Sequence, residues 1–476
     1  MAGKSMRRFR AGALVLLGAA PLLLAQCGTQ RDASGIAATS GASAGRGDGP
    51  GGAGAGATPS ISGAGRSGAS SGGTATAGSG VIPEGGAGAG AGGTLVGSSG
   101  GASAGATSTG GAQVAQAGTN SAGASGTGAA GAGGTKADAF MLGADVSSMQ
   151  EAVDKGARFF DTDGTEKPLM LILKAHGFNT VRLRTFVEPD APYGYAAGLD
   201  AACAKSEAYC DAAHTVEVAQ QVKALGMRLL LDLHYSDNWA DPGKQIVPRR
   251  FRAATTVAAL AAEVKTYTKE VLIALSAAGA LPDMVQVGNE ITPGILMHVP
   301  NANTDCWGNN VSPASVNGSA SRWNDLATLL SAGIEGVREV DASIEVMLHI
   351  ENTDELAGVR SWVTQALARG VDFDVLGLSC YTAYQGQPSV WRHTFESMAA
   401  EFPTLAFAIA EYNPERTEAN RIIKDLPDGR GRGTFFWEPT LSGTWGTALF
   451  TVSGQSYRAD PRAFAEIDAL RGELGL

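Results

Sequence analysis

The sequence predicts an α/β fold in which residues 138–476 form one (β/α)8 barrel, the TIM-barrel architecture. Eight short apolar segments with strand character alternate with helix-length amphipathic segments from Ala139 onward. No second break in composition interrupts this alternation, which indicates a single domain. Several of the apolar segments end in polar or aromatic residues, as expected where the loops after barrel strands build a site.

Each predicted strand is an apolar run, and the predicted helices have helical periodicity. The strands are expected at residues 140–146, 180–186, 228–234, 284–290, 344–349, 375–381, 405–411 and 434–437. The clearest helices are expected at residues 215–225, 255–277, 323–340 and 354–368. Alternation of this kind gives parallel strands joined by right-handed crossovers.

Residues 1–27 have the form of a secretory signal segment. Basic residues at positions 4, 7, 8 and 10 precede an apolar run at residues 11–25 that is too short for a comfortable membrane span. The run Leu24-Ala25-Gln26-Cys27 looks like a lipoprotein processing box, although bacterial boxes prefer a small residue where Gln26 stands. We expect an extracytoplasmic protein, either lipid-anchored to the cell envelope at Cys27 or simply secreted.

Residues 28–137 consist almost entirely of Gly, Ala, Ser and Thr. Such a stretch cannot bury enough apolar surface to offset its ordering entropy, so a disordered linker is expected. A flexible linker would hold the barrel away from an envelope surface while letting it search for a polymer.

Charge divides the chain at the same place. The whole chain carries −10, whereas residues 1–137 contain eight Lys or Arg against three Asp or Glu, so the remaining 339 residues carry −15. An acidic domain argues against nucleic acids and anionic polymers as partners and is compatible with a neutral substrate. We expect no cofactor, no metal ion and a monomer.

The cysteines suggest one disulfide. If Cys27 is lipidated, four cysteines are left in an oxidising compartment. Cys203 and Cys210 lie close together in one loop, which favours a local bridge between them. Cys380 ends an apolar strand, where burial favours a free thiol, and a bridge from it to Cys306 stays open.

Two predicted strands end in a carboxylate. One runs through Gly288 and Asn289 into Glu290, and a second ends in Glu411. Two carboxylates on opposing barrel strands suit glycoside hydrolysis, because one protonates the leaving oxygen while the other attacks the anomeric carbon or activates water. For the Asn-Glu pair alone, a solvent-facing strand end is the alternative.

Other strand ends carry hydrogen-bonding and stacking groups. Arg182 and Arg184 lie on one face of their strand, and at least one of them is expected to point into the barrel mouth. His234 is followed by a polar and aromatic loop that includes Trp239, a composition that suits sugar binding. For His234 alone, a structural histidine is the alternative.

Four stretches carry a resemblance to a known family: residues 143–148, 181–184, Leu-Asp-Leu-His-Tyr-Ser-Asp-Asn-Trp-Ala-Asp-Pro-Gly-Lys-Gln at 231–245, and Asp-Met-Val-Gln-Val-Gly-Asn-Glu at 283–290. Together they resemble the arabinogalactan endo-β-1,4-galactanases of glycosyl hydrolase family 53. Phe-Trp-Glu-Pro at 436–439 resembles the last strand of that family. The resemblance covers essentially residues 139–476 and implies a retaining barrel glycosidase acting on galactan or arabinogalactan.

The resemblance also implies roles for particular residues. Glu290 would be the general acid/base, and Glu411 the nucleophile that forms a covalent glycosyl-enzyme. Arg182 and Tyr381 would hydrogen-bond the nucleophile and hold it ionised. The acid is expected to have a raised pKa and the nucleophile a normal or lowered one. The further expected substrate-binding residues are Asn289 for the 2-hydroxyl, His234 and Trp437 at the cleavage subsite, Trp239, and Asp145, whose role stays open.

The sequence departs from the family pattern beside these residues. After Glu290 stands Ile-Thr-Pro-Gly-Ile-Leu-Met instead of Asn-Gly and a nearby Trp, and after Glu411 stands Tyr-Asn-Pro-Glu instead of Thr-Ala-Tyr-Pro. The sixth strand ends Ser-Cys-Tyr-Thr where Tyr-Tyr-Pro is typical. Two alternatives therefore stay open: another retaining β-glycanase of the same clan, and a non-catalytic glycan-binding lipoprotein.

Overall fold

The computed structural model describes residues 140–196, 207–301 and 308–476. The expected signal segment at 1–27, the expected lipid-anchor residue Cys27 and the expected linker at 28–137 lie outside the described residues. Within the described ranges, no helix is both long enough and apolar enough to cross a membrane.

Eight parallel strands of the described residues close into a barrel. In chain order they are β1 (Met141–Asp145), β2 (Thr180–Thr185), β3 (Arg228–Leu233), β4 (Met284–Val287), β5 (Glu345–Ile350), β6 (Val375–Cys380), β7 (Ala406–Tyr412) and β8 (Gly431–Trp437). β8 closes the barrel against β1, with Trp437 opposite Asp145. The predicted barrel is confirmed, and no strand end differs from its predicted position by more than three residues.

Helices cover the outside of the barrel. They are α1 (Met149–Asp154), α2 (Leu169–Ala175), α3 (Ala212–Ala224), α4 (Val257–Ala277), α5 (Trp323–Val340), α6 (Leu356–Leu367), α7 (Pro388–Glu401), α8 (Arg416–Lys424) and α9 (Pro461–Leu474). α2 to α9 follow β1 to β8 in turn, which is the (β/α)8 order.

The boundaries of these helices follow from local chemistry. α3 begins three residues before its predicted start because the Asp211 side chain accepts from His214 N and caps the first turn. α5 has its predicted bounds, and its buried residues, such as Leu326, Leu330 and Val337, recur at helical spacing on the face toward the barrel.

An apolar plug fills the barrel interior below the site. Its members are Met141, Leu230, Met284, Met347, Val375, Ala406, Ala408, Ala410 and Phe435. The Phe435 ring occupies the space beside Gly143, where a Cβ would lie 2.3 Å from Phe435 Cδ1. A Cβ at Gly377 would lie 2.7 Å from Met347 Sδ. The plug fills this part of the barrel, so the space for a ligand lies at the C-terminal ends of the strands.

The loop between β4 and α5 leaves the barrel at the C-terminal end of β4, and its described parts are residues 288–301 and 308–322. It carries two small antiparallel pairs, Gly294–Ile295 with Gly318–Ser319 and His298–Pro300 with Val311–Pro313. Gln245 ties the start of this loop to the β3 side, because its Nε2 donates to Asn289 O at 2.8 Å. A separate three-stranded sheet combines Arg158–Phe160, Phe450–Ser453 and Ser456–Ala459.

The described cysteines are free thiols. Cys210 is buried with its Sγ 3.5 Å from Ser147 O, and burial raises the pKa of this thiol to about 12. Because the Cys210 side chain turns into the interior, the expected Cys203–Cys210 disulfide is not formed at Cys210, and Cys203 and Cys306 lie outside the described residues. The expected buried, free thiol at Cys380 is confirmed.

Candidate active site

Polar side chains gather at the C-terminal ends of the barrel strands. Arg182 and Arg184 of β2 both line a cavity at this end, which confirms the expectation that at least one would point into the mouth. Leu183 between them packs in the core between the barrel and its helices. Because side chains alternate along β2, the two arginines face the mouth and Leu183 faces the helices.

Arg182 is the hub of the site. Its Nη1 lies 2.9 Å from Asp145 Oδ2 and 2.9 Å from Glu411 Oε1, and its Nη2 lies 2.8 Å from Asp232 Oδ2. Nη2 also donates to Asn289 Oδ1 at 2.9 Å. Burial alone would lower the pKa of Arg182, but the surrounding carboxylates raise it overall, so the guanidinium stays charged.

Glu411 is the carboxylate that faces this cation. It lies on β7, is 6% exposed, and accepts from Tyr381 Oη through Oε2 at 2.9 Å. With Arg182 on Oε1, both carboxylate oxygens have a donor, which holds the group in one orientation. The contacts that the family resemblance implied for Arg182 and Tyr381 are therefore present.

Glu290 lies just after β4 in different surroundings. It is partly exposed, and its Oε1 lies 2.9 Å from Ser379 Oγ. Desolvation, followed by the nearby carboxyls of Glu411, Glu351 and Asp241, raises its pKa well above the ordinary value. Glu290 therefore favours the protonated form, as expected for a general acid.

One expectation about the pKa values is wrong. The pKa of Glu411 was expected to be normal or lowered, but burial raises it, with Arg182 and Tyr381 acting in the opposite direction. Removing a carboxylate from water costs more than sequence reasoning allowed for. The two groups differ in what acts on them, because the pKa of Glu290 is raised by nearby carboxyls as well as by burial, whereas Arg182 and Tyr381 lower the pKa of Glu411.

Asn289 is held by partners on three strands. Its Oδ1 receives Arg182 Nη2 at 2.9 Å and Gln286 Nε2 at 3.0 Å, and lies 2.9 Å from His349 Nδ1. Its Nδ2 donates to Ala240 O at 3.0 Å, which leaves the second hydrogen of the amide for a ligand.

His234 has both ring nitrogens occupied. Ala240 N donates to Nδ1 at 3.0 Å, so Nε2 carries the hydrogen and donates to Asp232 Oδ2 at 3.1 Å. The ring borders the same cavity as Arg182. His234 fits both hypotheses from the sequence. It lines the site, as expected for a binding residue, and both of its nitrogens are bonded within the protein, as expected for a structural histidine.

Three tryptophans form the aromatic wall of the cavity. Trp437 at the end of β8 packs edge-on against Trp445 with centroids 4.8 Å apart, and its ring lies 6.3 Å from that of Trp239. Arg184 lies over the Trp239 ring at 4.2 Å. Within the described residues, Nε1 of Trp239 and of Trp445 has no hydrogen-bond partner. Such a wall offers stacking faces to a pyranose ring.

Asp145 links the hub to a second buried carboxyl. It binds Arg182 through Oδ2, and Arg184 Nη1 lies 3.6 Å from its Oδ1. Arg184 Nη1 also donates to Glu438 Oε1 at 2.6 Å. Burial raises the pKa of Glu438, and Arg184 acts against this. Asp145 thus orients the arginines rather than offering a free carboxylate to substrate.

Sequence reasoning missed several members of the site. They are Asp232, Gln286, His349, Ser379, Glu351, Asp241 and Glu438. A usable signal existed for the first four, because each is a polar residue inside an otherwise apolar strand, at a position whose side chain faces the interior.

The backbone is strained where the chain leaves three of the strands. Tyr235, Glu290 and Glu438 have φ values of 49°, 48° and 48°, in the left-handed region that side chains other than glycine rarely adopt. Each follows a barrel strand closely, and each such residue costs on the order of 1 kcal/mol. Strain of this kind concentrates at functional sites.

Both glutamates line one cavity at the mouth. Besides Glu290 and Glu411, its walls include Asp241, Glu351, Tyr381 and Trp437. A larger open groove of about 610 Å³ lies on the outside of the barrel between α4 and α5. That groove is lined mainly by alanines and short polar residues, so the chemistry belongs to the mouth.

Known proteins resemble this chain over the barrel. The family model described as glycosyl hydrolase family 53 matches residues 141–421, a range that contains both glutamates. The endo-β-1,4-galactanase of Bacillus subtilis is 33% identical over 340 residues, covering 71% of this chain and 68% of the relative. The arabinogalactan endo-β-1,4-galactanase of Humicola insolens is 26% identical over 356 residues, covering 66% of this chain and 96% of the relative. The solved GH53 catalytic domain of Ignisphaera aggregans aligns with a TM-score of 0.56 at 26% identity, covering 71% of this chain and 97% of that one.

Proposed function

The chain belongs to glycosyl hydrolase family 53, and from this membership we propose that it is a retaining endo-β-1,4-galactanase acting on galactan or arabinogalactan. One observation carries the proposal. Two carboxyl groups line the same cavity, and one is bound by an arginine and a tyrosine while the other lies among carboxyls and a hydroxyl. This asymmetry suits a nucleophile and an acid/base.

In the proposed reaction, Glu411 attacks the anomeric carbon while Glu290 gives its proton to the leaving oxygen. The bond between the anomeric carbon and the leaving oxygen breaks as the bond to the Glu411 carboxylate forms. Negative charge then leaves Glu411, which lowers the pKa of Glu290. Glu290 takes a proton from water, and that water displaces Glu411 and releases the sugar with its original anomeric configuration.

The remaining expected residues are assigned roles by their contacts. Asn289 has one amide hydrogen left and is assigned to the 2-hydroxyl of the sugar at the cleavage point. Trp437 and Trp239 offer stacking faces. Asp145 and His234 hold Arg182 and Asp232 in place, and they act on the substrate through those partners.

The wider organisation is also proposed. Residues 1–27 direct export, Cys27 is the point of lipid attachment, and residues 28–137 tether a monomeric barrel to the envelope. The test is the mass of the processed N-terminus, where a lipid-modified Cys27 supports anchoring and an unmodified, later start supports simple secretion.

The function is tested on a polymer panel. Purified residues 138–476 are incubated with galactan, arabinogalactan, mannan, xylan and β-glucan, alongside Glu290→Gln and Glu411→Gln. Galacto-oligosaccharides from galactan, absent with both variants, are the expected result. Cleavage of a different polymer would favour the alternative of another retaining β-glycanase. Binding without cleavage of any polymer would favour a glycan-binding protein.

A further inference from the structure

A line of hydrogen-bonding side chains runs from Glu290 into the barrel. Glu290 Oε1 lies 2.9 Å from Ser379 Oγ, and Ser379 Oγ lies 2.9 Å from His349 Nε2. His349 Nδ1 in turn lies 2.9 Å from Asn289 Oδ1. Ser379 and His349 are completely buried, so solvent does not supply missing donors or acceptors.

The inner end of this line fixes where the hydrogens lie. Asn289 Nδ2 donates to Ala240 O and Arg182 Nη2 donates to Asn289 Oδ1, which settles the orientation of the amide. The amide oxygen can only accept. His349 Nδ1 must therefore carry a hydrogen and donate it to Asn289 Oδ1.

A competing donor to His349 Nδ1 has better acceptors elsewhere. Gln286 Nε2 lies 3.3 Å from that nitrogen, but it lies 2.7 Å from Asp232 Oδ1 and 3.0 Å from Gly288 O. Asn289 Oδ1 also lies 3.0 Å from Gln286 Nε2, so its two hydrogens have three nearer acceptors and none is left for His349 Nδ1. His349 Nδ1 thus remains the donor.

The charge state of His349 fixes the next hydrogen. Burial, followed by the charge of Arg182, lowers the pKa of His349 well below its ordinary value, so the ring is neutral. A neutral ring with a hydrogen on Nδ1 has a lone pair on Nε2. Ser379 has a single hydroxyl hydrogen, and it goes to this lone pair.

We propose that Ser379 and His349 are positioning residues that fix the direction of this hydrogen-bond chain. His349 donates to Asn289 and Ser379 donates to His349, so Ser379 accepts a hydrogen bond from protonated Glu290 instead of donating one to its carboxylate. This inference rests on the proposed role of Glu290 as the acid/base. In the free enzyme, the proton on Glu290 is hydrogen-bonded to Ser379 Oγ. Once substrate is bound, Glu290 gives this proton to the glycosidic oxygen. The Ser379 hydrogen stays in its hydrogen bond to His349 Nε2 throughout, so the ionised carboxylate of Glu290 gains no donor from Ser379.

Other charged groups also act on Glu290 and His349, and their effects must be separated from the effect of Ser379. Those facing Glu290 are Glu411 on β7, Glu351 after β5, Asp241 after β3 and Tyr381 after β6. Those facing His349 are Arg182 on β2 and Asp232 and His234 on the β3 side. A substitution at Ser379 leaves all of these charges in place.

The direction of the chain predicts the sign of a pH shift. The alkaline limb of kcat/KM reports the acid of the free enzyme. With galactan as substrate, Ser379→Ala should move this limb to lower pH by about 0.5 to 1 unit, the size of one ordinary hydrogen bond. If Ser379 instead donated to the Glu290 carboxylate, the same change would move the limb upward. An upward shift, or none, overturns the proposal.

Thr353→Val is the matched control. The Thr353 hydroxyl donates to the backbone oxygen of Ser379 at 2.6 Å, so its loss disturbs the same strand without touching Ser379 Oγ. The alkaline limb of this variant should stay where it is in the wild-type enzyme. A shift equal to that of Ser379→Ala would mean that strand disturbance explains both results, and would overturn the proposal.

The tautomer of His349 gives a second readout that does not depend on activity. In protein labelled with ¹⁵N-histidine, the resonance lost in His349→Gln should show the neutral form with hydrogen on Nδ1. Hydrogen on Nε2 would overturn the proposal even in an active enzyme. An enzyme inactive on galactan but with the Nδ1 form would overturn the proposed function while leaving the direction of the chain intact.

Discussion

Glu411 and Glu290 share one cavity but are surrounded by opposite chemistry. Glu411 has Arg182 on one oxygen and Tyr381 on the other, so both of its oxygens meet donors. Glu290 has a hydroxyl at one oxygen and carboxyls as its other electrostatic neighbours, among them Glu351. Burial raises the pKa of both glutamates, so burial alone does not assign their roles.

The difference lies in the partners supplied by neighbouring strands. The donors to Glu411 come from β2 and from the end of β6, whereas the carboxyls around Glu290 are Glu411 itself on β7 and two more from the loops after β3 and β5. A barrel can therefore give two glutamates separate protonation states by the choice of residue at adjacent strand ends. Activity should lie in the pH range where Glu411 is ionised and Glu290 is protonated.

The two glutamates should fail in different ways when they are replaced. Glu411→Gln should reduce kcat by roughly 10⁴-fold or more, because no group remains to form the glycosyl-enzyme. Glu290→Gln should cost roughly 10² to 10⁴-fold, the usual contribution of a general acid/base.

Added azide sharpens this difference. With an activated aryl galactoside and Ala in place of each glutamate, azide entering the space of Glu411 should give the α-galactosyl azide. In the Glu290 variant, azide attacks the glycosyl-enzyme from the opposite face and should give the β product. The reverse pattern of products would exchange the two roles.

Removing the cation should damage stability as well as activity. Arg182→Met leaves the buried carboxylates of Asp145, Asp232 and Glu411 without their shared partner, and about 3 to 5 kcal/mol of unfolding free energy should be lost. Chemical denaturation measures this. Arg421→Met, which breaks an exposed pair with Glu473, is the control and should change stability little. Equal losses would contradict the role of Arg182 as hub.

Removing the Tyr381 hydroxyl should act chiefly on Glu411, to which it donates. The hydroxyl stabilises the ionised carboxylate, so Tyr381→Phe should raise the pKa of Glu411 and move the acid limb of kcat/KM to higher pH. Activity should fall by roughly 10 to 100-fold, as for loss of a hydrogen bond to a charged group. Tyr384→Phe, whose hydroxyl meets Thr444 instead, should leave the acid limb in place.

The smallest effect is expected from Glu351 on the opposite side. Its pKa is raised to about 7, chiefly by desolvation, and its charge above that pH raises the pKa of Glu290. Glu351→Gln should therefore move the alkaline limb of kcat/KM to lower pH. Glu345→Gln is the control, since Glu345 lies at the other end of the same strand and pairs with Arg432. An upward shift of the limb for Glu351→Gln would contradict this account.

The sequence predicted the barrel because each strand is a separate apolar run with a helix after it. It also predicted, through the family resemblance, that Arg182 and Tyr381 contact Glu411, and both contacts are present. It placed the end of β4 three residues too late. The backbone turns there at Gly288, whose φ is 82°, before Glu290 can continue the strand.

The hydrogen-bond network behind Glu290 could not be predicted from the sequence in the same way. Ser379 and His349 lie on different strands, and their contact with each other and with Glu290 depends on how the strands are staggered. The pairing of β6 with β7 also shifts register between Leu378 and Ser379, which strand patterns do not reveal. The pKa of Glu411 was misjudged for a related reason, because the extent of burial is a property of the assembled barrel.

Phe435 and Gly143 restrict the ways in which this cleft can diversify. The ring fills the volume that any side chain at Gly143 would need, so enlarging one residue requires shrinking the other. Enlarging the cavity into the apolar plug therefore requires two substitutions together, each of which is unfavourable alone. The described parts of the loop between β4 and α5 follow the C-terminal end of β4, and surface loops in general tolerate insertions and single substitutions. Changes in sugar preference are therefore easier to make in such loops than in the apolar plug around Phe435 and Gly143.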